Sequence, residues 1–176
     1  MRIFTCRICG EVYIGTEAPK TCPFCGVANK YLVLASVWKD ENKDVKISEV
    51  SRKNLEEALE LELSNTAFYK CLAQKLANTE TSLMFKGLFK VEREHASVFR
   101  KLLGLLEDQK VVEYCINDPE KAITESAERE EKAINFYAKA LTEATEPRIK
   151  EVFTAIMNTE KDHLELDREM KNKIIK

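Results

Sequence analysis

Histidine is nearly missing from this sequence: 176 residues carry two, His95 and His163. Long apolar runs are missing altogether, and none approaches the roughly 18 residues that a membrane span needs. No apolar h-region precedes Cys6, so no signal peptide is expected and the cytoplasm is the expected compartment. Charge of one sign is also lacking. A net charge of −2 gives no general pull toward nucleic acid or membrane. There is no Gly-x-Gly-x-x-Gly, so nothing looks built to bind NAD(P)H directly. Proline is scarce: beyond Ser51 it occurs only at Pro119 and Pro147, and glycine is sparse there too. The remaining balance, 44% hydrophobic and 33% charged, is that of a soluble globular chain. A segment of about 140 residues can bury a core of its own, whereas one of about 35 usually needs a metal or disulfides.

Cysteine, by contrast, is concentrated. Four of the six fall in two pairs, Cys6-x-x-Cys9 and Cys22-x-x-Cys25, with twelve residues between. A C-x-x-C turn aims two sulfurs at one point, and two such turns make a tetrahedral cage suited to zinc or iron. Gly10 and Gly26 follow the second cysteine of each pair, where a tight turn needs permissive backbone angles. Tyr13, Phe24 and Tyr31 can supply a small aromatic shell. Two disulfides are the alternative, which a reducing compartment disfavours. The stretch Cys6-Arg7-Ile8-Cys9-Gly10-Glu11-Val12-Tyr13, with Cys22-Pro23-Phe24-Cys25-Gly26, resembles rubredoxin in the short-loop form found in rubrerythrins. That resemblance spans roughly residues 1–36 and implies a single iron that passes one electron. A zinc ribbon would use the same ligands without redox work.

After Trp38 comes the polar stretch Lys39 to Asp44, read as a linker, and from about Ser51 the pattern turns helical. Ser51 is the expected cap of a first helix. A break near Asn78 to Ser82 leads into a second, running to about Leu106. Asp118-Pro119 opens a third, ending near Thr145, and Pro147 a fourth. The expected division is 1–38 for the cysteine domain, 39–50 for the linker and 51–176 for the bundle.

An internal repeat organises the helices. At an offset of 68 residues Glu62 falls on Glu130, Phe68-Tyr69 on Phe136-Tyr137, Phe85 on Phe153, Glu92 on Glu160 and His95 on His163, without a gap. Two matching helical hairpins build a pseudo-symmetric four-helix bundle. Positions i and i+3 share a helix face, so Glu92-x-x-His95 and Glu160-x-x-His163 each present a carboxylate with an imidazole. Glu62 and Glu130 complete four Glu and two His, a set that bundle-core di-iron sites use. Each glutamate lies in an apolar stripe: Glu62 with Leu55 and Leu59, Glu92 with Phe85 and Leu88, Glu130 with Ile123 and Ile134, Glu160 with Phe153 and Ile156. Charge in such a stripe is costly and demands a reason, which metal supplies. Glu128, among Thr124, Glu125, Lys132 and Asn135, reads as solvated instead. Tyr69 and Tyr137 lie two turns after Glu62 and Glu130, where each hydroxyl can bond a carboxylate of the opposite hairpin or simply pack.

Taken together, the chain resembles rubrerythrin over nearly its whole length, through the cysteine motif, Glu62 with Tyr69, Glu92-Arg93-Glu94-His95 and Glu160-Lys161-Asp162-His163. The resemblance implies a mainly α fold, a ferritin-like four-helix bundle preceded by a small rubredoxin-like β and metal-knuckle domain. It implies one iron on Cys6, Cys9, Cys22 and Cys25, and two on Glu62, Glu92, His95, Glu130, Glu160 and His163, with zinc a substitute in either site. The implied activity is reduction of hydrogen peroxide to water, fed by a separate NAD(P)H-dependent reductase. Oxygen reduction and ferroxidase chemistry are alternatives within the fold, and a zinc-ribbon module on a structural bundle is one outside it. The cysteine domain comes first here, as in the reverse rubrerythrins. The family's usual seventh carboxylate, three residues after the first ligand of the third helix, falls on Ala133. Glu131 can substitute only if that helix bulges. Residues 107–117 barely reach along the bundle at extended length, which suggests a homodimer with swapped hairpins. Cys71 reads as a buried packing residue, and neither it nor Cys115 is given a role.

Overall fold

The computed structural model describes residues 1–76, 79–106, 111–112 and 114–174. Three short strands, β1 (Arg2–Cys6), β2 (Val12–Gly15) and β3 (Leu32–Leu34), form an antiparallel sheet in the order β2-β1-β3. Its register sets Phe4 opposite both Tyr13 and Leu34. Beyond the sheet the chain is helical: α1 (Glu49–Lys75), α2 (Thr79–Leu103), α3 (Pro119–Glu143) and α4 (Pro147–Ile174). The hairpins α1–α2 and α3–α4 face each other in one bundle, mainly α as expected. No described helix is long and apolar enough to cross a membrane.

The helix ends follow local chemistry, with corrections to the sequence reading. Ser48, not Ser51, caps α1, and its Oγ accepts from the Ser51 backbone N–H at 3.3 Å. Ser51 instead donates its hydroxyl to Glu146 Oε2 at 2.6 Å, while Glu146 Oε1 accepts from the Ser48 N–H at 2.5 Å. One carboxylate just ahead of α4 thus ties down the start of α1. Asp118 caps α3 through the Lys121 N–H, with Pro119 at its first position. α2 stops at Leu103, short of Leu106, because Gly104 takes a φ of +69°, open to glycine and strained for other residues. α3 stops at Glu143, short of Thr145.

The earlier stop of α2 lengthens the crossover to fifteen residues, 104–118. Extended, that is about 50 Å, against about 38 Å for a 25-residue helix. A crossover within one chain is therefore long enough to reach. Residues 107–110 and 113 of the crossover, and Asn78 of the predicted break, lie outside the described residues. The crossover is tied back to α1 by a disulfide, Cys71–Cys115. Cys71 is buried, but as half of this bridge rather than as a free packing thiol. Beside it Tyr114 stacks on Phe68.

Two apolar layers bracket the middle of the bundle. One holds Phe68, Tyr69, Leu72, Phe85, Leu88 and Ile123. The other holds Leu55, Leu59, Phe99, Val152, Phe153 and Ile156, and continues into Cys6, Ile8, Cys25 and Val27 of the knuckles. Module and bundle thus share one core, an advantage for a segment too small to bury its own. The polar stretch between them is built into the joint. Asn42, 5% exposed, donates to Ile8 O at 2.8 Å and accepts from Arg148 of α4 at 2.8 and 3.0 Å. Arg148 also donates to Arg7 O, and Lys101 of α2 donates to Cys9 O at 2.9 Å.

Closing a loop across 44 residues removes chain entropy worth about 4 kcal/mol from the unfolded state. The C71S/C115S variant is expected to lose up to that amount in guanidinium unfolding of zinc-loaded protein. A phosphine reductant should shift the parent's midpoint toward that of the variant and leave the variant unmoved. Glu146 adds a pH signature. Burial would raise its carboxyl, but hydrogen bonds from Ser51, Ser48 and its own backbone outweigh that and lower it from 4.5 to about 2. A depressed carboxyl stabilises the fold above its ordinary value and loses that effect as pH falls. E146Q should melt below the parent at neutral pH, with the gap narrowing between about pH 4.5 and 2.

Candidate metal centres

The knuckles are two tight turns. Gly10 N–H bonds Cys6 O and Gly26 N–H bonds Cys22 O, both at 2.9 Å, with glycine φ angles of +85° and +74°. Four buried sulfurs converge between them. Cys6 and Cys25 Sγ lie 3.8 Å apart and Cys9 and Cys22 Sγ 3.9 Å, far beyond a disulfide's roughly 2.0 Å. A tetrahedron with metal–sulfur distances of about 2.3 Å has edges of about 3.8 Å, so the cage fits zinc or iron.

In the bundle Glu62 comes from α1, Glu92 and His95 from α2, Glu130 from α3, Glu160 and His163 from α4. One chain supplies all six. Their ligand atoms form two buried groups that share Glu92 and Glu160: one with Glu62 and His95, the other with Glu130 and His163. Atoms within each group lie within 4.8 Å of one another. The two imidazoles stack with centroids 6.3 Å apart. Two shared carboxylates between two imidazole-bearing ends make a two-cation layout.

The orientation of His95 tests whether metal suits this set. Its Nε2 lies 2.9 Å from Cys25 O, and a carbonyl only accepts, so Nε2 carries the proton of that bond. Nδ1 then points its lone pair at Glu160 Oε1 (3.0 Å), Glu92 Oε2 (3.2 Å) and Glu62 Oε1 (3.8 Å). His163 Nδ1 likewise lies 3.0 Å from Glu92 Oε1 and Glu160 Oε2. Acceptors facing acceptors need a cation between them, either protons or metal. Glu62 Oε2, Glu92 Oε1, Glu130 Oε2 and Glu160 Oε1 are buried with no hydrogen-bond donor among the described residues, and all can serve a metal. Without metal the cluster has to hold protons. Burial and the neighbouring carboxylates push Glu62 and Glu130 well above the ordinary carboxyl range. Burial opposes charge on His95, yet Glu160 and Glu92 overcome it and raise the ring to about 10.

Tyrosines hold the outer carboxylates. Tyr69 of α1 donates its hydroxyl to Glu130 of α3, and Tyr137 of α3 donates to Glu62 of α1. Glu131, in contrast, is exposed, and α3 runs as unbroken α-helix past it. It is no seventh ligand here, because without a bulge it points about 100° away from Glu130. Ala133 is buried at the position where the resemblance places a carboxylate. Glu128 is exposed.

Two features escaped sequence reasoning. Asp167 is fully buried on α4, one turn beyond His163, although the apolar stripe of Phe153, Ile156 and Glu160 leads directly to it. The bond from His95 to the Cys25 backbone had no sequence signal at all, since it joins a main-chain atom to a side chain 70 residues away. There the two centres nearly touch: a Cβ on Gly26 would meet Thr159 Cγ2 of α4 at 2.6 Å.

Comparison with known proteins agrees with this layout. The family model described as rubrerythrin matches residues 53–171, and the one described as the rubrerythrin rubredoxin-like domain matches residues 4–32. Among curated proteins, reverse rubrerythrin-1 of Clostridium acetobutylicum is 30% identical over 115 residues, covering 59% of this chain and 63% of that relative. The match thus spans less than two thirds of the relative's length. No solved structure matches the chain. A four-cysteine cage docked on a carboxylate–histidine bundle, with family matches over both parts, places this chain in the rubrerythrin family.

Proposed function

We propose that this protein reduces hydrogen peroxide to water at the carboxylate–histidine centre, with electrons entering through the four-cysteine centre. Cys6, Cys9, Cys22 and Cys25 would hold one iron. Glu62, Glu92, His95, Glu130, Glu160 and His163 would hold two. The observation that carries the reading is the 2.9 Å bond from His95 Nε2–H to Cys25 O. One residue thereby offers a thiolate to the first centre and a main-chain acceptor to the other centre's imidazole. A structural zinc knuckle has no need of that bridge, whereas an electron entering by the sulfurs has a short, largely bonded path through it.

The balanced reaction is H2O2 + 2e− + 2H+ giving 2 H2O. An iron pair held here supplies the two electrons and the Lewis acidity that eases O–O cleavage. The chain's own residues do the rest. Tyr69 and Tyr137 orient the carboxylates of Glu130 and Glu62. Phe99, Phe153 and Tyr137, packed with ring centroids within 6 Å of one another, exclude water from the His95 side. The Cys25 bond fixes the His95 tautomer and so keeps Nδ1 free for metal. The electron source is proposed to be a separate NAD(P)H-dependent reductase.

The test is anaerobic. Iron-loaded protein is reduced, one equivalent of hydrogen peroxide is added, and the visible band of the four-sulfur iron is followed. Rapid return of colour is expected. Return with oxygen but not peroxide would replace the peroxidase reading with an oxygen reductase. No band despite iron loading would remove the electron-entry role. C9S should keep the bundle's iron yet fail to turn over with the reductase.

The joint yields a sharper expectation. G26A places a methyl against Thr159 and forces a side chain into a left-handed backbone conformation. Both centres should still bind iron, but ångström-scale misplacement should slow the return of colour by about 10- to 100-fold. G26A/T159A, which removes the clash and keeps the backbone strain, should recover part of that loss.

A further inference from the structure

The internal repeat makes every departure from two-fold symmetry informative. At the 68-residue offset the six candidate ligands and the two tyrosines pair with their own kind, but the residues around them do not. Asp167 falls on Phe99, Ser126 on Ala58, and the pair Asn65-Thr66 on Ala133-Ile134. The last difference lies at the seam of α1 and α3. Tyr69 of α1 bonds Glu130, and Tyr137 of α3 bonds Glu62, which fixes how the two helices pass each other. By that register Asn65 and Thr66 stand midway between the cross-bonds, opposite Ala133 and Ile134. One helix offers polar side chains there and the other offers hydrocarbon.

Asn65 and Thr66 follow Glu62 by three and four residues. At about 100° per residue they flank its direction, roughly 60° to one side and roughly 40° to the other. Asn65 is 2% exposed. Its amide is oriented by Arg129, whose Nη1 donates to Asn65 Oδ1 at 3.3 Å. A guanidinium only donates, so the amide oxygen faces it and the amide nitrogen faces away. Arg129 is itself held in place. Its Nη1 also donates to Ser64 Oγ at 3.2 Å, its Nε donates to Glu125 Oε1 at 2.9 Å, and it lies 4.3 Å over the Phe68 ring. Asn65 Nδ2 is left buried with no acceptor among the described residues, and Thr66 Oγ1 is buried without a partner as well. Unmet buried donors are costly and rare. Two of them on the turn that follows Glu62 mark a place for a ligand that accepts hydrogen bonds.

A route from solvent leads to the same place. A cleft of about 550 Å³ runs between α1 and α3, and Leu61, Ser64, Asn65, Arg129 and Phe136 are part of its lining. Asn65 is the buried member of that lining and forms its floor. The four-cysteine module meets α2 at His95 and α4 at Thr159, so the cleft opens on the side of the bundle that the module leaves free.

We propose that Asn65 Nδ2 and Thr66 Oγ1 form the subsite that binds the oxidant, a small ligand with oxygen lone pairs that enters by this cleft. This rests on the peroxide reading, under which the ligand is hydrogen peroxide. Asn65 donates an N–H to one peroxide oxygen and Thr66 donates its hydroxyl. Arg129 is a positioning residue that keeps Nδ2 turned inward. Neither side chain gives up its proton; the two hold the O–O bond in place while the electrons and protons of the balanced reaction come from elsewhere. The oxidant thus enters between α1 and α3, and electrons enter from the α2 and α4 side.

The experiment uses iron-loaded, oxidised protein and azide, a three-atom anion that accepts hydrogen bonds. N65A removes the amide, T66V keeps the shape of the side chain and removes the hydroxyl, and R129M leaves Asn65 in place but frees its amide to turn. Azide should bind the parent saturably in a visible titration. Its Kd should rise about 5- to 10-fold in N65A, as for loss of one hydrogen bond, and by less in T66V and R129M. The infrared antisymmetric stretch of bound azide should shift in N65A and T66V, which a merely structural role would not cause. Peroxide KM should rise in the same order. Should N65A lose iron, T66V and R129M carry the same comparison. A parent that binds no azide, or iron-replete variants with the parent's azide Kd and stretch, would overturn the subsite. If azide senses Asn65 while the reduced parent consumes no peroxide, the subsite stands and the peroxide reading fails.

Discussion

Four carboxylates buried within one bundle govern the rest of this structure. Taken from water without cations, Glu62, Glu92, Glu130 and Glu160 would repel one another across a medium that screens poorly. The bundle answers from several directions. Without metal, burial opposes charge on His95 and His163 but the carboxylates overcome it and both rings hold protons beside them, while two tyrosine hydroxyls bond the outer pair. The inner oxygens have no donor among the described residues and are left for metal. Apolar layers lie on both sides of these groups. The cluster is consequently buried and suited to holding two cations close together.

An internal repeat underlies this centre, and asymmetry sets its two ends apart. A perfectly two-fold site would have two identical ends. Here the His95 end meets the four-cysteine module through Cys25 and is backed by Phe99. The His163 end is backed by Ser126 and Asp167. Substitutions at two buried positions, Phe99 against Asp167 and Ala58 against Ser126, separate the halves by polarity without altering the helices. That economy is open to a bundle because the second layer around a metal site tunes it while the first layer keeps its geometry.

The module's attachment follows from its size. A segment of about 35 residues cannot bury enough surface to hold itself together. Its knuckle residues join the bundle's core, and Asn42, Arg148 and Lys101 satisfy the carbonyls of Ile8, Arg7 and Cys9 at the seam. The result brings the backbone of Gly26 against Thr159, an approach that only a residue without a side chain permits. At the other end the crossover is fastened to α1 through Cys71–Cys115 and the stacking of Tyr114 on Phe68.

Much of this was legible in the residue order, because helices and knuckles are local structures. C-x-x-C spacing, the Glu-x-x-His face, the apolar stripes and the 68-residue repeat each depend on a few neighbouring positions. They sufficed to name the four cysteines, the six bundle residues and the fold. What they could not supply is contact between elements distant in sequence. The stop of α2 at Gly104, which makes a one-chain crossover long enough, turns on a single backbone angle. The straightness of α3 past Glu131, the pairing of Cys71 with Cys115 and the bond from His95 to a main-chain carbonyl depend on how helices and module pack. Asp167 lay on the same stripe as the ligands, but the absence of a donor for it is a property of four helices together. Local periodicity determines which side chains share a face; only tertiary packing decides what stands opposite them.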